Sequence, residues 1–357
     1  MLTIVLDNLF YKLNITKAQL LLGFLVCLIG CSQQRELVNF SGLTMGTSYS
    51  IKAILLDKNI NTQNLQKGID SILFSLDRQM STWDPNSEIS QFNFTHSIEP
   101  YSTSKSFRVV VKAALDISEK TDGLFDITVF DLMGLWGFGP DPNSGMPGQK
   151  QVETVLSYTG YEKISVTDKA VIKEHPETKL DLNAITKGYA VDEVFHFLQS
   201  KGFTDLFVEI GGEVKCSGRN QLNKFWSIGI ENLSGGNMSN QIFAGIVYLD
   251  DGAVATSGNY RNFVDLNGKI LGHTINPKTG YPIQTNVLSV TVLSNSCMIA
   301  DAWATALMVM DYETGLKRVT ENADIKAIWI LDKKDGSRYI AKSVGTKIDD
   351  SIYEIIG

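Results

Sequence analysis

The sequence predicts an α+β protein of mixed, largely antiparallel sheets flanked by helices. Three observations predict it. Apolar residues recur at helical spacing in long segments, short apolar runs of strand type lie between them, and hairpin-type turn dipeptides separate several of those runs.

The elements follow in order. Lys12 and Lys17 precede the apolar run Leu20–Gly30, which ends at Cys31. A positive flank, a short apolar stretch and small residues at its end describe a secretory signal over 1–30. The run is about half the ~20 residues a spanning helix needs. Residues 31–42 are polar and read as a tether. Leu65, Ile69, Ile72, Leu76 and Met80 predict a helix that stops before the turn Asp84-Pro85-Asn86. A second helix is expected from Ser104 to about Thr121, ending at Gly123. A third starts near Asn183, with Val191, Val194, Phe195 and Leu198 as its apolar stripe, and ends at Gly202. Strands are expected at Leu206–Ile210, Trp226–Ile230, Ile242–Leu249, Val287–Leu293 and Ala327–Leu331. Asn267-Gly268 lies between Asn262–Leu266 and Lys269–His273 and predicts a hairpin; Asp335-Gly336 predicts another. Gly134 to Lys150 holds five glycines and three prolines, so it reads as a long loop of the kind that is often functional.

Composition narrows the function. The 357 residues are 43% hydrophobic and 20% charged, enough for one large or two ordinary domains. Acidic residues outnumber basic ones, 39 to 32, for a net charge of −7. With no basic stripe, nucleic-acid binding is excluded. Four cysteines cannot staple a chain this long. Cys216 and Cys297 would remain after removal of 1–30, free or paired.

Several common motifs are missing. There is no Walker-type loop. Gly137-Phe138-Gly139 lacks a third glycine and is followed by Pro140, so it is no dinucleotide fingerprint. Ser257 in Ala255–Asn259 is no nucleophile elbow. The four histidines are scattered, without zinc-ligand spacing.

Three segments can carry chemistry. Met298–Met310 reads as a buried helix in which Asp301 is the only ionisable side chain, with Thr305 four residues on over the same face. A carboxylate and a hydroxyl suit a magnesium ion; the alternative is an Asp capping backbone amides. Lys179–Asp192 reads as a strand end feeding a helix start, where backbone amides and Lys187 favour an anion and Asp181 can accept from a nucleotide; plain capping and a solvated lysine explain it equally. Gly272–Pro282 places His273 on a sharply turned loop, as a proton carrier or a structural histidine. Thr44–Tyr49, Ser81–Trp83, Gly123–Thr128 and Gly211-Gly212-Glu213 add glycines and apolar groups that could wall a flat ring system.

Taken together, in this order, these segments resemble the ApbE family of FAD:protein FMN transferases, from about Thr44 to about Met310. The resemblance implies a single large, T-fold-like catalytic domain over 43–357. It implies magnesium-dependent transfer of the FMN half of FAD to a Thr or Ser hydroxyl of an acceptor protein, with release of AMP. By the same resemblance Met45, Trp83, Leu124, Phe125, Asp126, Asp181, Lys187 and Ile275 would contact FAD. Asp301, Thr305 and the carbonyls of Ala184 and Ala304 would hold Mg²⁺, and His273 would activate the hydroxyl. Hydrolysis of FAD to FMN and AMP, or flavin binding without catalysis, are the alternatives it leaves. The tetrapeptide Leu28-Ile29-Gly30-Cys31 resembles a bacterial lipobox, which implies a lipid on Cys31 and an exported protein anchored to the membrane and facing the periplasm. The acceptors implied resemble flavinylated subunits of sodium-pumping or electron-transfer complexes.

Overall fold

The structure, a computed structural model, describes residues 35–55, 60–143, 145–231, 243–258, 263–266, 269–283, 285–332 and 338–342. The signal and lipobox segment, Cys31 and the Asn267-Gly268 and Asp335-Gly336 turns lie outside them. The chain divides into residues 1–36 and residues 37–357. The elements below belong to the second unit, whose first strand begins at the boundary.

Strands β1 (Glu36–Thr44) and β2 (Thr47–Leu55) are joined by Met45 and Gly46, both at positive φ (48° and 71°), as a two-residue hairpin turn requires. Residues 36–42 are therefore strand rather than tether. Only Phe40 of β1 is fully buried, so this edge strand carries little apolar signal. Helix α1 (Thr62–Met80) starts at the Asn61 cap and buries Leu65, Ile69, Leu73, Leu76 and Met80. Leu73, not Ile72, takes the central inward place. Helix α2 (Glu88–Phe94), strand β3 (Tyr101–Ser102) and helix α3 (Lys105–Lys120) follow, the last capped by Ser104 as expected. Helices α4 (Phe130–Leu135) and α5 (Gln149–Leu156) flank the glycine-rich loop. Strands β4 (Ile164–Val166) and β5 (Ala170–Lys173) pair with β3 in a small antiparallel sheet ordered β3-β5-β4.

Helix α6 (Asn183–Ser200) buries the predicted stripe and much of its remaining surface. It ends with Gly202 at φ 92°, and Phe203 N–H bonds back to the Leu198 carbonyl, a Schellman closure. Strands β6 (Leu206–Ile210) and β7 (Glu213–Ser217) form a hairpin through Gly211 and Gly212, at φ 62° and 106°. Strands β8 (Trp226–Glu231) and β9 (Phe243–Leu249) form a second one. Strand β10 (Asp251–Gly258) precedes the antiparallel pair β11 (Phe263–Leu266) and β12 (Lys269–Gly272), which lies where the hairpin was predicted. Strand β13 (Val287–Ser294), helices α7 (Cys297–Val309) and α8 (Tyr312–Thr320), and strands β14 (Ile325–Asp332) and β15 (Arg338–Lys342) complete the chain.

The main sheet runs β1-β2-β6-β7-β10-β13-β14-β15, and its pairs from β2 to β15 are antiparallel. One face packs on α6 and α7, with α1 and α3 beyond them, in the largest core cluster. The β8–β9 hairpin covers the other face through Ile230, Ala244, Val247, Ile328 and Ile330. The α+β architecture predicted from the sequence is the one observed. Among the described residues no helix is long and apolar enough to cross a membrane. Cys216 and Cys297 are buried free thiols.

Candidate active site

Helices α6 and α7 set the site because they touch almost backbone to backbone. A Cβ on Gly188 would sit 2.3 Å from the Cys297 carbonyl oxygen and 2.8 Å from Asp301 Cβ. Glycine alone admits that approach. One turn further along α6, Asp192 accepts hydrogen bonds from Ser296 Oγ (2.7 Å), Cys297 N–H (3.1 Å) and Met298 N–H (3.0 Å), and pairs with Lys215 Nζ at 2.7 Å. A carboxylate at a helix N-terminus satisfies orphan donors and complements the helix dipole. The start of α7 is thereby fixed on α6, and Asp301 Oδ2 lands 2.9 Å from the Gly188 N–H. Regular helical register assigns that N–H to the Ala184 carbonyl.

Around this junction lies a cavity of about 500 Å³. Ten residues expected from the sequence line it: Leu124, Phe125, Asp126, Asp181, Ala184, Lys187, His273, Ile275, Asp301 and Thr305. Three do not. Met45 sits half-buried in the β1–β2 turn against the main core, Trp83 is 64% exposed beyond α1, and Ala304 is fully buried within α7. The sequence placed Gly211-Gly212-Glu213 in the wall without a role for Glu213 and marked Asn183 only as part of the helix start, and Thr256 had no part in it. Ser257, which the sequence placed outside any nucleophile elbow, bonds Thr305 Oγ1 at 3.1 Å from the end of β10. The usable signal for Glu213 was a carboxylate directly after a two-glycine turn.

Asp301, Lys187 and Glu213 form a charged cluster in the wall. Lys187 Nζ meets Glu213 Oε1 at 2.5 Å, while Glu213 Oε2 is buried with no hydrogen-bond partner. Burial pushes the Asp301 carboxyl up, and Lys187 and the Gly188 N–H oppose the shift. Burial and the Asp301 charge push Glu213 up to about 8 against the pull of Lys187. Burial by itself would lower Lys187, but Asp301 and Glu213 outweigh it and hold the ammonium charged. Two buried carboxylates thus face one ammonium, an imbalance that a proton or a cation relieves.

The donor types decide which cation fits. Among the described residues no group of three or more His, Cys, Asp or Glu side chains is placed to hold a metal, which argues against a zinc-type cage. A carboxylate, a hydroxyl and a carbonyl are hard oxygen donors, few in number, as magnesium accepts when substrate phosphates and water complete its shell. The orphaned Glu213 oxygen and the unbalanced charge point the same way.

The rest of the wall is built from the 124–128 segment and the loop after β12. The Asp126 carboxylate is consumed by Thr128 N–H (2.7 Å), Thr128 Oγ1 (2.6 Å) and Tyr161 N–H (2.8 Å), so it shapes the segment. Burial still raises it to about 6. Asp181 Oδ1 accepts from Asn183 N–H at 2.8 Å, and burial raises that carboxyl too. Asn93 fixes the entry to α6 by bonding both the N–H and the carbonyl of Leu180. Beyond His273, Ile275 pairs with Pro282, and Asn276 Oδ1 accepts from Lys278 N–H, so the histidine stands at the base of a short closed loop.

Comparison with known proteins agrees with this geometry. The ApbE family model matches residues 45–329. A curated FAD:protein FMN transferase of Vibrio cholerae is 40% identical over 323 residues, covering 90% of this chain and 96% of its own length. The solved flavin transferase ApbE of Vibrio cholerae superimposes with a TM-score of 0.78 at 38% identity, over 87% of this chain and 98% of that one. The apo flavinyl transferase ApbE of Pseudomonas stutzeri gives 0.79 at 32% identity, over 88% and 96%. Matched across most of its length by the family model, by a curated relative and by solved structures, this chain belongs to the ApbE family.

Proposed function

We propose that this chain is an FAD:protein FMN transferase: it moves the FMN half of FAD onto a Thr or Ser hydroxyl of an acceptor protein and releases AMP. The observation that carries the reading is one cavity that gathers Asp301, Thr305, Ala184, Lys187 and His273 beside an apolar wall of Leu124, Phe125, Met133 and Ile275. The V. cholerae and P. stutzeri relatives named as flavin transferases support it.

In this reading the apolar wall receives a flat ring system and Lys187 faces the diphosphate. The acceptor hydroxyl oxygen attacks the FMN-side phosphorus. The new phosphoester bond forms as the bond to the AMP phosphate breaks, and His273 takes the hydroxyl proton. Asp301, Thr305 and the Ala184 carbonyl would hold Mg²⁺, with the Ala304 carbonyl as a further donor on the same helix. Bound there, the ion neutralises charge on the diphosphate oxygens. Asp126 and Asp192 work at one remove, holding the wall and the start of α7.

The apolar run before Cys31 and its lipobox-like end support export and a lipid anchor, with the catalytic unit facing the periplasm. The acceptors would be other extracytoplasmic proteins, of the kind found in sodium-pumping or electron-transfer complexes.

The test mixes protein, FAD, Mg²⁺ and a candidate acceptor, then reads in-gel flavin fluorescence and free AMP. A covalent adduct with stoichiometric AMP is expected, and Asp301→Ala should abolish it. FMN and AMP released without adduct would replace transfer by hydrolysis.

A further inference from the structure

The loop between α4 and α5 is a feature of the sequence that the proposed chemistry has left unused. Helix α4 ends in a Schellman motif. Gly137 N–H bonds the Gly134 carbonyl, and Phe138 N–H bonds the Met133 carbonyl at 2.8 Å, with Gly137 at φ 87°. This closure fixes where the next side chain projects. The Phe138 ring stands edge-on to the His273 imidazole, 6.3 Å between centroids at 71°. That is an edge-to-face aromatic pair of ordinary geometry. Gly139 follows at φ 100°, so the ring is held between two positions that ordinary side chains rarely adopt.

The same short segment grips the far side of the histidine loop. Trp136 Nε1 donates to the Gly280 carbonyl at 2.6 Å, and its ring lies 5.5 Å from that of Tyr281. Gly280, at φ 71°, lies so close to α5 that a Cβ would meet Val152 at 2.6 Å. Ile275 packs into the cluster of Leu132, Trp136 and Val152. The loop is clamped at its tip by Trp136 and at its histidine by Phe138.

We propose that Phe138 is a positioning residue for His273: the Schellman closure of α4 presents its ring to set the imidazole's orientation toward the acceptor hydroxyl. The inference rests on the reading of His273 as the proton acceptor. Phe138 itself does not line the cavity, but it packs on the cluster that holds Ile275, as Met133 does, so its replacements are ones that keep an apolar side chain against that wall.

The experiment measures steady-state transfer to a Thr-containing acceptor, with FAD and Mg²⁺, for Phe138→Leu, Phe138→Tyr and His273→Ala. Phe138→Leu should lower kcat about tenfold with FAD KM and melting temperature nearly unchanged, because a small misplacement of a proton acceptor acts on turnover. Phe138→Tyr keeps the ring and should restore most of kcat. Phe138→Met, which keeps the volume without the ring, takes the place of the leucine variant if that one melts early. Wild-type kcat in both ringless variants, a loss confined to KM, or no rescue by tyrosine overturns the inference if His273→Ala is inactive. Normal turnover by His273→Ala overturns instead the reading beneath it.

Discussion

Gly188→Ala is the sharpest single perturbation of this site. In a helix interior, alanine is favoured over glycine by about 1 kcal/mol. Here the added Cβ would lie 2.3 Å from the Cys297 carbonyl oxygen and 2.7 Å from its carbon. The obstacle is backbone, which cannot rotate away. The helices must part by about 1 Å to restore ordinary contact. Overpacking of this kind costs about 1–3 kcal/mol or more, which cancels or exceeds the helical gain. Parting also breaks the 2.9 Å bond between the Gly188 N–H and Asp301 Oδ2 and moves the carboxylate from the cavity. A displacement of that size costs on the order of a hundredfold in turnover. Gly315→Ala in α8 is the control, since its nearest contact would be the flexible tip of Leu307 at 3.3 Å. The assay pairs thermal unfolding with flavin transfer. Gly315→Ala should hold or raise the melting temperature with full activity, while Gly188→Ala loses activity out of proportion to any change in melting. Full transfer by Gly188→Ala would refute the claim that close helix approach places Asp301.

Asp192→Asn removes the charge that faces buried Lys215 and weakens the anchor of α7, so it should cost about 3–5 kcal/mol in chemical unfolding; the double variant with Lys215→Met should recover part of that. Lys173 is buried against Phe92, and burial lowers it to about 8. Its folded pKa lies below the unfolded one, so the folded state gains as pH rises from about 8 to 10.5, by about 3 kcal/mol at most. The stability advantage of Lys173→Met over the parent should therefore shrink across that window, and a flat difference between pH 7 and 10.5 would contradict it. Cys31→Ala should move the protein from the membrane to the soluble fraction of the expressing cell, read by fractionation and by incorporation of an alkyne-tagged fatty acid.

Much of the site was legible because its chemistry repeats at helical spacing. An otherwise apolar segment with Asp301 and, four residues on, Thr305 marks one face of a buried helix. Lys187 and Asp181 flanked an evident helix start. The β6 and β13 segments showed as apolar runs between turn residues. Other parts left weak signals for physical reasons. Strand β1 buries little, so its sequence looks like a tether. Helix α4 spans only Phe130–Leu135 with no side-chain cap, so neither periodicity nor capping announces it. Glu213 is a tertiary product: it counts only because the β6–β7 turn carries it to Lys187. Trp83 and Met45 were offered as flavin contacts by likeness, and their neighbours in sequence hold no clue that both would sit outside the cavity wall.

What no local pattern could supply is the register between α6 and α7. On α6, positions 184, 188 and 192 form one i, i+4 row; on α7, positions 297, 301 and 305 form another. Asp192 bonds residues 296–298, and Gly188 meets Cys297 and Asp301. Contacts that climb one row thus descend the other, so the next step of the series sets Ala184 toward Thr305, and both line the cavity. One packing choice therefore delivers carboxylate, hydroxyl and carbonyl to the same wall. It also explains why a buried Asp192–Lys215 pair, of doubtful worth to stability, stands two turns from the chemistry. Sliding either helix by one turn would scatter the three donors, bring Ala184 or Asp192 to the close contact that only Gly188 admits, and part Asp192 from its partners on α7, so glycine and carboxylate together make such a slide costly.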